Sequence, residues 1–268
     1  MKKNFTVVIF TDLDGSLLHK DSFRFDNIKG YIKKLIDRGI VIIPNSSKTG
    51  KEIKKFNHEL GIDLPYISEN GSCIEGLNRI NSNFPSNIIL SRDKEELLKI
   101  FNDKVPKELK DKCIQISQIN KKEQEKIFGQ KDDRLKDALN RKYTLPMLFK
   151  GDKSEKSRLQ KILNSNTLTL QEGGRVLNLC DNINKVKSMN RVIKIFKKIE
   201  NEIKTIAVGD HYNDLDMLKN SDVPCLVFNE NFKLDEINID NLIFSNKPSP
   251  EGWADVIKKA LAKLNYNV

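Results

Sequence analysis

Short apolar runs alternate with longer amphipathic stretches at the start of the chain, and this alternation limits the possible folds more than any other feature. Runs at residues 6–10, 40–44 and 66–68 predict strands, while three- and four-residue spacing of apolar side chains predicts helices at 25–38 and up to about residue 60. We expect the second helix to take its N-cap from Ser46-Ser47. A β-α-β-α-β order predicts a parallel, doubly wound sheet.

The end of the chain has the same pattern. We predict helices at 185–199, near 213–220 and at 252–264, with strands at 205–208 and 224–228. Both ends together therefore predict one α/β, Rossmann-like core built from residues 1–82 and 181–268.

The middle of the chain has longer polar helices and strand-like pieces at 88–90, 113–117, 148–150, 167–171 and 175–179. These pieces favour an antiparallel sheet with helices on one face. We therefore predict an inserted α+β cap domain at residues 83–180.

Composition excludes several classes of protein. The net charge of +10 could indicate nucleic-acid binding, but the basic residues are spread out and aromatic residues make up only 7% of the chain. We therefore favour a solvated basic surface that attracts small anions and binds no nucleic acid.

No apolar run approaches the roughly 18–20 residues of a membrane span, and four scattered cysteines form no Cys-x-x-Cys pair. We expect a cytoplasmic protein with reduced thiols and no membrane association; the sequence does not indicate an oligomeric state.

Polar groups of one kind follow three of the predicted core strands. Asp12-Leu13-Asp14-Gly15-Ser16 follows the first, Asn45-Ser46-Ser47-Lys48-Thr49 the second, and Gly209-Asp210 with Asp214 the strand at 205–208. Ligands of open parallel sheets bind at the carboxyl ends of strands, so these loops are expected to converge. Asp12 and Asp14 then face one ligand, and with Asp210 they form an oxygen-rich site suited to Mg²⁺.

A phosphate is the natural substrate group for such a site. Ser46 and nearby backbone N–H groups could hold phosphate oxygens, and either Lys185 or Lys187 could neutralise the remaining charge. We predict that Asp12 attacks phosphorus and that Asp14 serves as acid and base. Taken singly, each motif is equally compatible with an ordinary turn or a helix N-cap; their combination favours phosphoryl transfer.

These motifs resemble those of the haloacid dehalogenase superfamily of phosphatases. The resemblance makes Asp12 the nucleophile, Asp14 the acid/base and Lys185 the motif lysine, although Val186 replaces the usual glycine. It further implies that Mg²⁺ is held by Asp12, the backbone carbonyl of Asp14, and Asp210, with support from Asp214.

The position of the insert resembles the sugar-phosphatase branch, and four stretches are most similar to mannosyl-3-phosphoglycerate phosphatases: PNSSKTGKEI, ISENGSCIEG, RKYTLPMLFKGD and LQEGGRVLNLCD. The resemblance implies hydrolysis of mannosyl- or glucosyl-3-phosphoglycerate to a compatible solute. Arg175, Arg141 and Lys48 are then candidates for substrate binding. The alternatives are a sucrose-6-phosphate or hexose phosphate phosphatase, a phosphomutase, and a nucleic-acid-binding protein with an inactive core.

Overall fold

The computed structural model describes residues 5–172, 176–200, 202–231 and 237–266. Its strands, numbered along the chain, are β1 (Thr6–Thr11), β2 (Val41–Pro44), β3 (Tyr66–Ser68), β4 (Cys73–Glu75), β5 (Asn87–Ile89), β6 (Cys113–Gln115), β7 (Leu145–Phe149), β8 (Leu168–Glu172), β9 (Leu177–Asp181), β10 (Ile203–Gly209), β11 (Val223–Leu226) and β12 (Ile243–Phe244). The helices are α1 (Asp26–Asp37), α2 (Gly50–Leu60), α3 (Lys94–Lys104), α4 (Lys107–Lys110), α5 (Lys121–Phe128), α6 (Asp132–Leu139), α7 (Lys153–Ser165), α8 (Lys185–Phe196), α9 (Leu215–Lys219) and α10 (Glu251–Lys263).

The core is a five-stranded sheet in the order β12-β11-β10-β1-β2, with every neighbouring pair parallel. Successive side chains of a strand point to opposite faces, and β1 buries both sets. Val7 and Ile9 pack in one cluster with α1, α2 and α10, whereas Val8 and Phe10 pack in another with α8 and α9. The prediction of a doubly wound parallel sheet is therefore confirmed.

The order of the strands brings the predicted polar loops together. β1 lies between β10 and β2, and its last residue, Thr11, pairs with Val208 on one side and Pro44 on the other. The segments that follow these three strands therefore leave the sheet at the same edge, which is where ligands of such folds bind.

The start of α2 differs from the prediction. Its N-cap is Thr49, which forms a capping box with Glu52, so the expected cap at Ser46-Ser47 was wrong. The capping box satisfies two free N–H groups at once. As a result, Ser46 and Ser47 remain in the loop after β2, where their polar groups can face the site.

Two predicted strands pair differently from the expectation. β3 joins the core sheet through a single parallel bridge between Asn45 and Ile67, and its main partner is the antiparallel β4. β5, which covers most of the strand expected at 88–90, pairs with β4 rather than with the cap sheet. Strands β3, β4 and β5 therefore form a small three-stranded sheet of their own, separate from the core sheet and from the sheet of the insert.

The insert contains an antiparallel sheet in the order β6-β7-β9-β8. One face packs its apolar side chains against α3 and α7, and a smaller cluster joins the other face to α5 and α6. The α+β cap is thus confirmed as an architecture, but the expectation of helices on one face only was wrong, because helices cover both faces of its sheet. The boundaries at 82/83 and 180/181 stay a prediction. Among the described residues, no helix has both the length and the apolar character needed to cross a membrane.

Candidate active site

Backbone hydrogen bonds fix the position of Asp12 at the end of β1. Its N–H donates to the carbonyl of Val208 at 2.9 Å, and the Thr11 hydroxyl donates to the Asp12 carbonyl at 2.7 Å. Trp253 Nε1 donates in turn to the Thr11 hydroxyl at 2.9 Å. A buried tryptophan of α10 therefore holds the backbone that carries the predicted nucleophile.

Asp210 is held by the loops after β1 and β11. The Ser16 hydroxyl donates to Asp210 Oδ1 at 2.9 Å, and Asn229 Nδ2 donates to Oδ2 at 2.8 Å. Gly15 has a φ of +82°, and a Cβ at this position would lie 2.4 Å from Asp210 Oδ2. Glycine is therefore required both for the turn and for the close approach of Asp210.

Lys185 joins the carboxylates from the first turn of α8. Its ammonium lies 2.5 Å from Asp12 Oδ1 and 2.7 Å from Asp214 Oδ1, and all three side chains are buried. Lys187, the alternative considered from the sequence, is exposed and donates to the carbonyl and side chain of Asn182. Of the two lysines, the structure therefore brings Lys185 to the carboxylates.

Asp214 lies behind the other carboxylates. It is fully buried, and its Oδ2 accepts hydrogen bonds from the backbone N–H groups of Asp210 and His211, at 3.2 Å each. Its other oxygen contacts Lys185. Both oxygens of Asp214 therefore already have partners, which suits a supporting role beside a cation better than a primary one.

The donor set fits a divalent cation. Ligand oxygens of Asp12, Asp210 and Asp214 lie within 4.8 Å of one another. These three carboxylates and the single ammonium of Lys185 leave two negative charges uncompensated. Burial raises the pKa of Asp12 to about 6 even though Lys185 opposes the shift, and burial together with the charges of Asp214 and Asp12 raises the pKa of Asp210. A divalent cation would relieve this repulsion, and Mg²⁺ prefers such oxygen ligands.

Lys48 neutralises Asp14, the second aspartate of the Asp12–Ser16 motif. Its ammonium lies 2.9 Å from Asp14 Oδ2 and 3.2 Å from Glu52 Oε1. Burial alone would lower the pKa of Lys48, but the two carboxylates raise it, so Lys48 stays charged. The structure thus places Lys48 in the site beside Asp14. Ser46 is buried nearby, where its hydroxyl accepts a hydrogen bond from the Lys48 N–H at 3.3 Å.

Arg141 connects the cap to the core loops. Its Nη1 donates to the carbonyl of Ser47 at 3.1 Å and to the Thr144 hydroxyl at 3.0 Å. That hydroxyl donates to Glu69 Oε2 at 2.7 Å, and Glu69 also accepts from the backbone N–H groups of Lys142 and Tyr143. A buried carboxylate from the core thereby holds the cap segment that carries Arg141.

A cavity of about 320 Å³ lies between the core and the cap. Core residues that line it include Asp12, Asp14, Ser47, Lys48, Glu52, Asp210 and Asn229, and cap residues include Phe128, Gln130, Arg141, Val176 and Asn178. The predicted substrate residue Arg175 falls outside the described residues. The cavity has the size of a small-ligand site, and its carboxylates and its arginine face a common space.

Several site residues were not predicted from the sequence. Asn229 directly follows the predicted strand at 224–228, so the rule that ligands bind at strand ends could have identified it. Gln130 and Asn178 gave no comparable signal. Their place in the site depends on how the cap folds over the core, which local sequence patterns do not encode.

A capped parallel sheet in which the inner strand β1 is followed by paired aspartates, close to a third aspartate and a lysine, defines a phosphoryl-transfer site. The chain belongs to the haloacid dehalogenase-like hydrolases, whose family profile matches residues 9–247. It is a phosphatase of this family, a phosphoric monoester hydrolase, as the motifs predicted.

Three relatives with curated names extend the comparison. The chain is 30% identical to a glucosyl-3-phosphoglycerate/mannosyl-3-phosphoglycerate phosphatase of Persephonella marina, over 96% of this chain and 98% of the relative. It is 29% identical to a protein of the same name from Methanococcoides burtonii, with the same two coverages. It is 30% identical to a mannosyl-3-phosphoglycerate phosphatase of Pyrococcus horikoshii, over 79% of this chain and 86% of the relative.

Solved structures support the fold. A haloalkanoate-superfamily phosphatase, BT1666 from Bacteroides thetaiotaomicron, matches with a TM-score of 0.70 at 14% identity, over 98% of this chain and 96% of that one. The sucrose-phosphatase of Synechocystis, solved with sucrose and phosphate, matches with a TM-score of 0.62 at 12% identity, over 98% of this chain and all of that one. At such identities the likeness concerns the fold alone.

Proposed function

We propose that this phosphatase hydrolyses glucosyl- or mannosyl-3-phosphoglycerate to the glycosylglycerate and phosphate in the cytoplasm, with Mg²⁺ as cofactor. The observation that carries the proposal is one cavity with Asp12, Asp14, Asp210 and Arg141 on its walls. The names of the relatives that match nearly the whole chain support the substrate class.

Asp12 is the nucleophile in this proposal. One of its carboxylate oxygens attacks phosphorus in line with the departing C3 oxygen of the glycerate, and an aspartyl-phosphate forms while the P–O bond to the glycerate breaks. Asp14 donates a proton to the departing oxygen. Lys48 Nζ lies 2.9 Å from Asp14 Oδ2, and this contact supports a fixed orientation of the Asp14 carboxyl group for the proton transfer.

The second half-reaction returns the enzyme to its starting state. Asp14, now ionised, takes a proton from a water molecule as that water attacks phosphorus. The bond between phosphorus and Asp12 breaks, phosphate leaves, and Asp14 is again protonated. One carboxyl group therefore acts first as acid and then as base.

Charge on the phosphoryl group is balanced by the buried cation and the lysine. Asp12, the backbone carbonyl of Asp14, and Asp210 would hold Mg²⁺, which supplies positive charge to the oxygens of the phosphoryl group. Lys185 and Ser46 bind the same group in this proposal, and Asp214 keeps Lys185 and the Asp210 backbone in place.

The cap provides the substrate recognition. The guanidinium of Arg141 suits the glycerate carboxylate, because planar N–H donors match a carboxylate in geometry and charge. Arg175 and Lys48 remain candidates for substrate contacts, although Lys48 already has two carboxylate partners.

Phosphate release tests the proposal directly. Both glycosyl-3-phosphoglycerates should be turned over with higher kcat/KM than sucrose 6-phosphate or hexose phosphates, and only with Mg²⁺ present. Asp12→Asn, which is nearly isosteric, should fold normally and be inactive. Efficient turnover of another sugar phosphate and none of either glycosyl compound would reject the substrate assignment.

A further inference from the structure

We propose that Gln130 and Asn178 are specificity residues whose side-chain oxygens accept hydrogen bonds from hydroxyl groups of the glycosyl part of the substrate. The inference rests on the proposed function for the identity of that substrate. It assigns a task to two cap residues that take no part in the chemistry at phosphorus.

Asn178 is a polar residue on the cavity face of β9. Its neighbours Leu177 and Leu179 point to the other face and pack with the apolar cluster beneath α3 and α7. Asn178 is only 2% exposed and lines the same cavity as Asp12 and Asp14. The alternation of the strand therefore directs this one amide towards the site rather than into the apolar core of the cap.

Gln130 reaches the cavity from a different element. It follows Gly129, which ends α5 with a φ of +64°, and the turn places Gln130 between α5 and α6. The residue is 8% exposed and lines the cavity together with Asn178. Two independent elements of the cap thus bring a buried amide to one cavity.

Both amides have an oxygen without a hydrogen bond. Within the parts of the chain that the structure describes, Gln130 Oε1 and Asn178 Oδ1 are buried and accept from no protein group. A buried polar atom left in this state destabilises the fold, so such atoms are uncommon unless a ligand or water satisfies them. Two of them on one cavity wall indicate a ligand that supplies hydrogen-bond donors.

The chemistry of the substrate identifies those donors. Phosphate and carboxylate groups are acceptors when ionised and would be repelled by an amide oxygen, whereas sugar hydroxyls can donate. The carboxylate is matched instead by Arg141, whose Nε is also buried and without a partner among the described residues. The cap wall therefore presents a donor for the glycerate and acceptors for the sugar.

Paired substrates test the assignment. Asn178→Leu and Gln130→Met remove the acceptors at similar volume, and Asn102→Leu and Gln118→Met are matched controls on exposed parts of the cap. Each variant is assayed with glucosyl-3-phosphoglycerate, with 3-phosphoglycerate, which lacks the sugar, and with p-nitrophenyl phosphate. Thermal unfolding verifies the fold, and Asn178→Ala replaces Asn178→Leu if the leucine variant does not fold.

We expect each site variant to lower kcat/KM about tenfold on the glycosyl substrate, mainly through KM, because one hydrogen bond to the bound sugar is lost. The two compounds without sugar should be turned over at the wild-type rate, and thermal stability should be unchanged or higher. Equal losses on all three compounds would show a structural role and overturn the proposal, as would an unchanged kcat/KM on the glycosyl substrate.

The substrate preference of the wild-type enzyme distinguishes a failure of the proposed function from a failure of this inference. If it fails to prefer either glycosyl-3-phosphoglycerate over 3-phosphoglycerate, the substrate proposal is wrong. The same variants are then compared on the best sugar phosphate and on p-nitrophenyl phosphate. A selective loss on the sugar phosphate supports the role of Gln130 and Asn178, and a non-selective result rejects it.

Discussion

Replacement of Gly15 by alanine perturbs the site through two separable effects. Its φ of +82° strains any side chain, and the added Cβ would lie 2.4 Å from Asp210 Oδ2. Gly39 offers a matched control, because its φ is +80° and a Cβ there would meet nothing within 4 Å. Gly39→Ala therefore carries the backbone strain alone, whereas Gly15→Ala carries the strain and the collision.

The expected magnitudes follow from these contacts. The left-handed conformation costs a non-glycine residue roughly 1–2 kcal/mol, so Gly39→Ala should melt about 2–8 °C below wild type. Gly15→Ala, which adds the collision, should melt at least as far below wild type. An ordinary van der Waals contact begins at 3.4 Å, so Asp210 or the Asp14–Gly15 backbone must move by about 1 Å in Gly15→Ala. A displacement of this size lowers the rate of a preorganised site by about a hundredfold.

The assay is a titration of phosphate release against Mg²⁺, with thermal unfolding of the same preparations. Gly15→Ala should lose about two orders of magnitude in kcat/KM and need more Mg²⁺ for half-maximal activity, because Asp210 is displaced. Gly39→Ala should keep wild-type kinetics. If Gly15→Ala is as active as Gly39→Ala, the close packing of Gly15 and Asp210 is not needed for catalysis and the reasoning is wrong.

Three further predictions use other contacts of the site. Lys185→Met should be destabilised by about 3–5 kcal/mol, because it leaves buried carboxylates without their ion-pair partner, whereas Lys187→Met should lie within about 0.5 kcal/mol of wild type in urea unfolding. Burial raises the pKa of Asp12 to about 6. The folded protein therefore binds more protons than the unfolded chain between about pH 4 and 6. The free energy of unfolding of the metal-free protein should fall as the pH rises through that interval. Mg²⁺ competes with those protons, so the rise in Tm that it causes in scanning fluorimetry should be larger at pH 7.5 than at pH 5. Glu69→Gln should raise KM more than it lowers kcat in steady-state kinetics, because Glu69 holds the segment that carries Arg141.

The carboxyl ends of the core strands could be predicted because their signals are local. Apolar runs that end in Asp12, Asn45 and Asp210 mark strands and loops directly, and parallel pairing then brings the loops together without further information. The N-cap of α2 was misplaced because Ser46, Ser47 and Thr49 are all good N-cap residues. Only the reciprocal bond with Glu52 selects Thr49.

The remainder of the site depends on contacts between distant residues. Spacing alone leaves Lys185 and Lys187 open, and only the resemblance favours Lys185. The contacts of Lys185 with Asp12 and Asp214 form once α8 has packed on the sheet. Gln130 and Asn178 reach the cavity through a loop and a strand of the insert, so their proximity follows from the packing of the cap over the core. No periodicity of the chain encodes that arrangement.

The most direct test of the catalytic account is rapid acid quenching during a single turnover, followed by mass spectrometry of the peptide fragments. The account predicts a transient phosphoryl group on the fragment that contains Asp12, formed and lost no more slowly than phosphate is released, and absent in Asp12→Asn. A phosphoryl group on another residue, or a full turnover with no phosphorylated fragment at any time point, would contradict the assignment of Asp12 as the nucleophile.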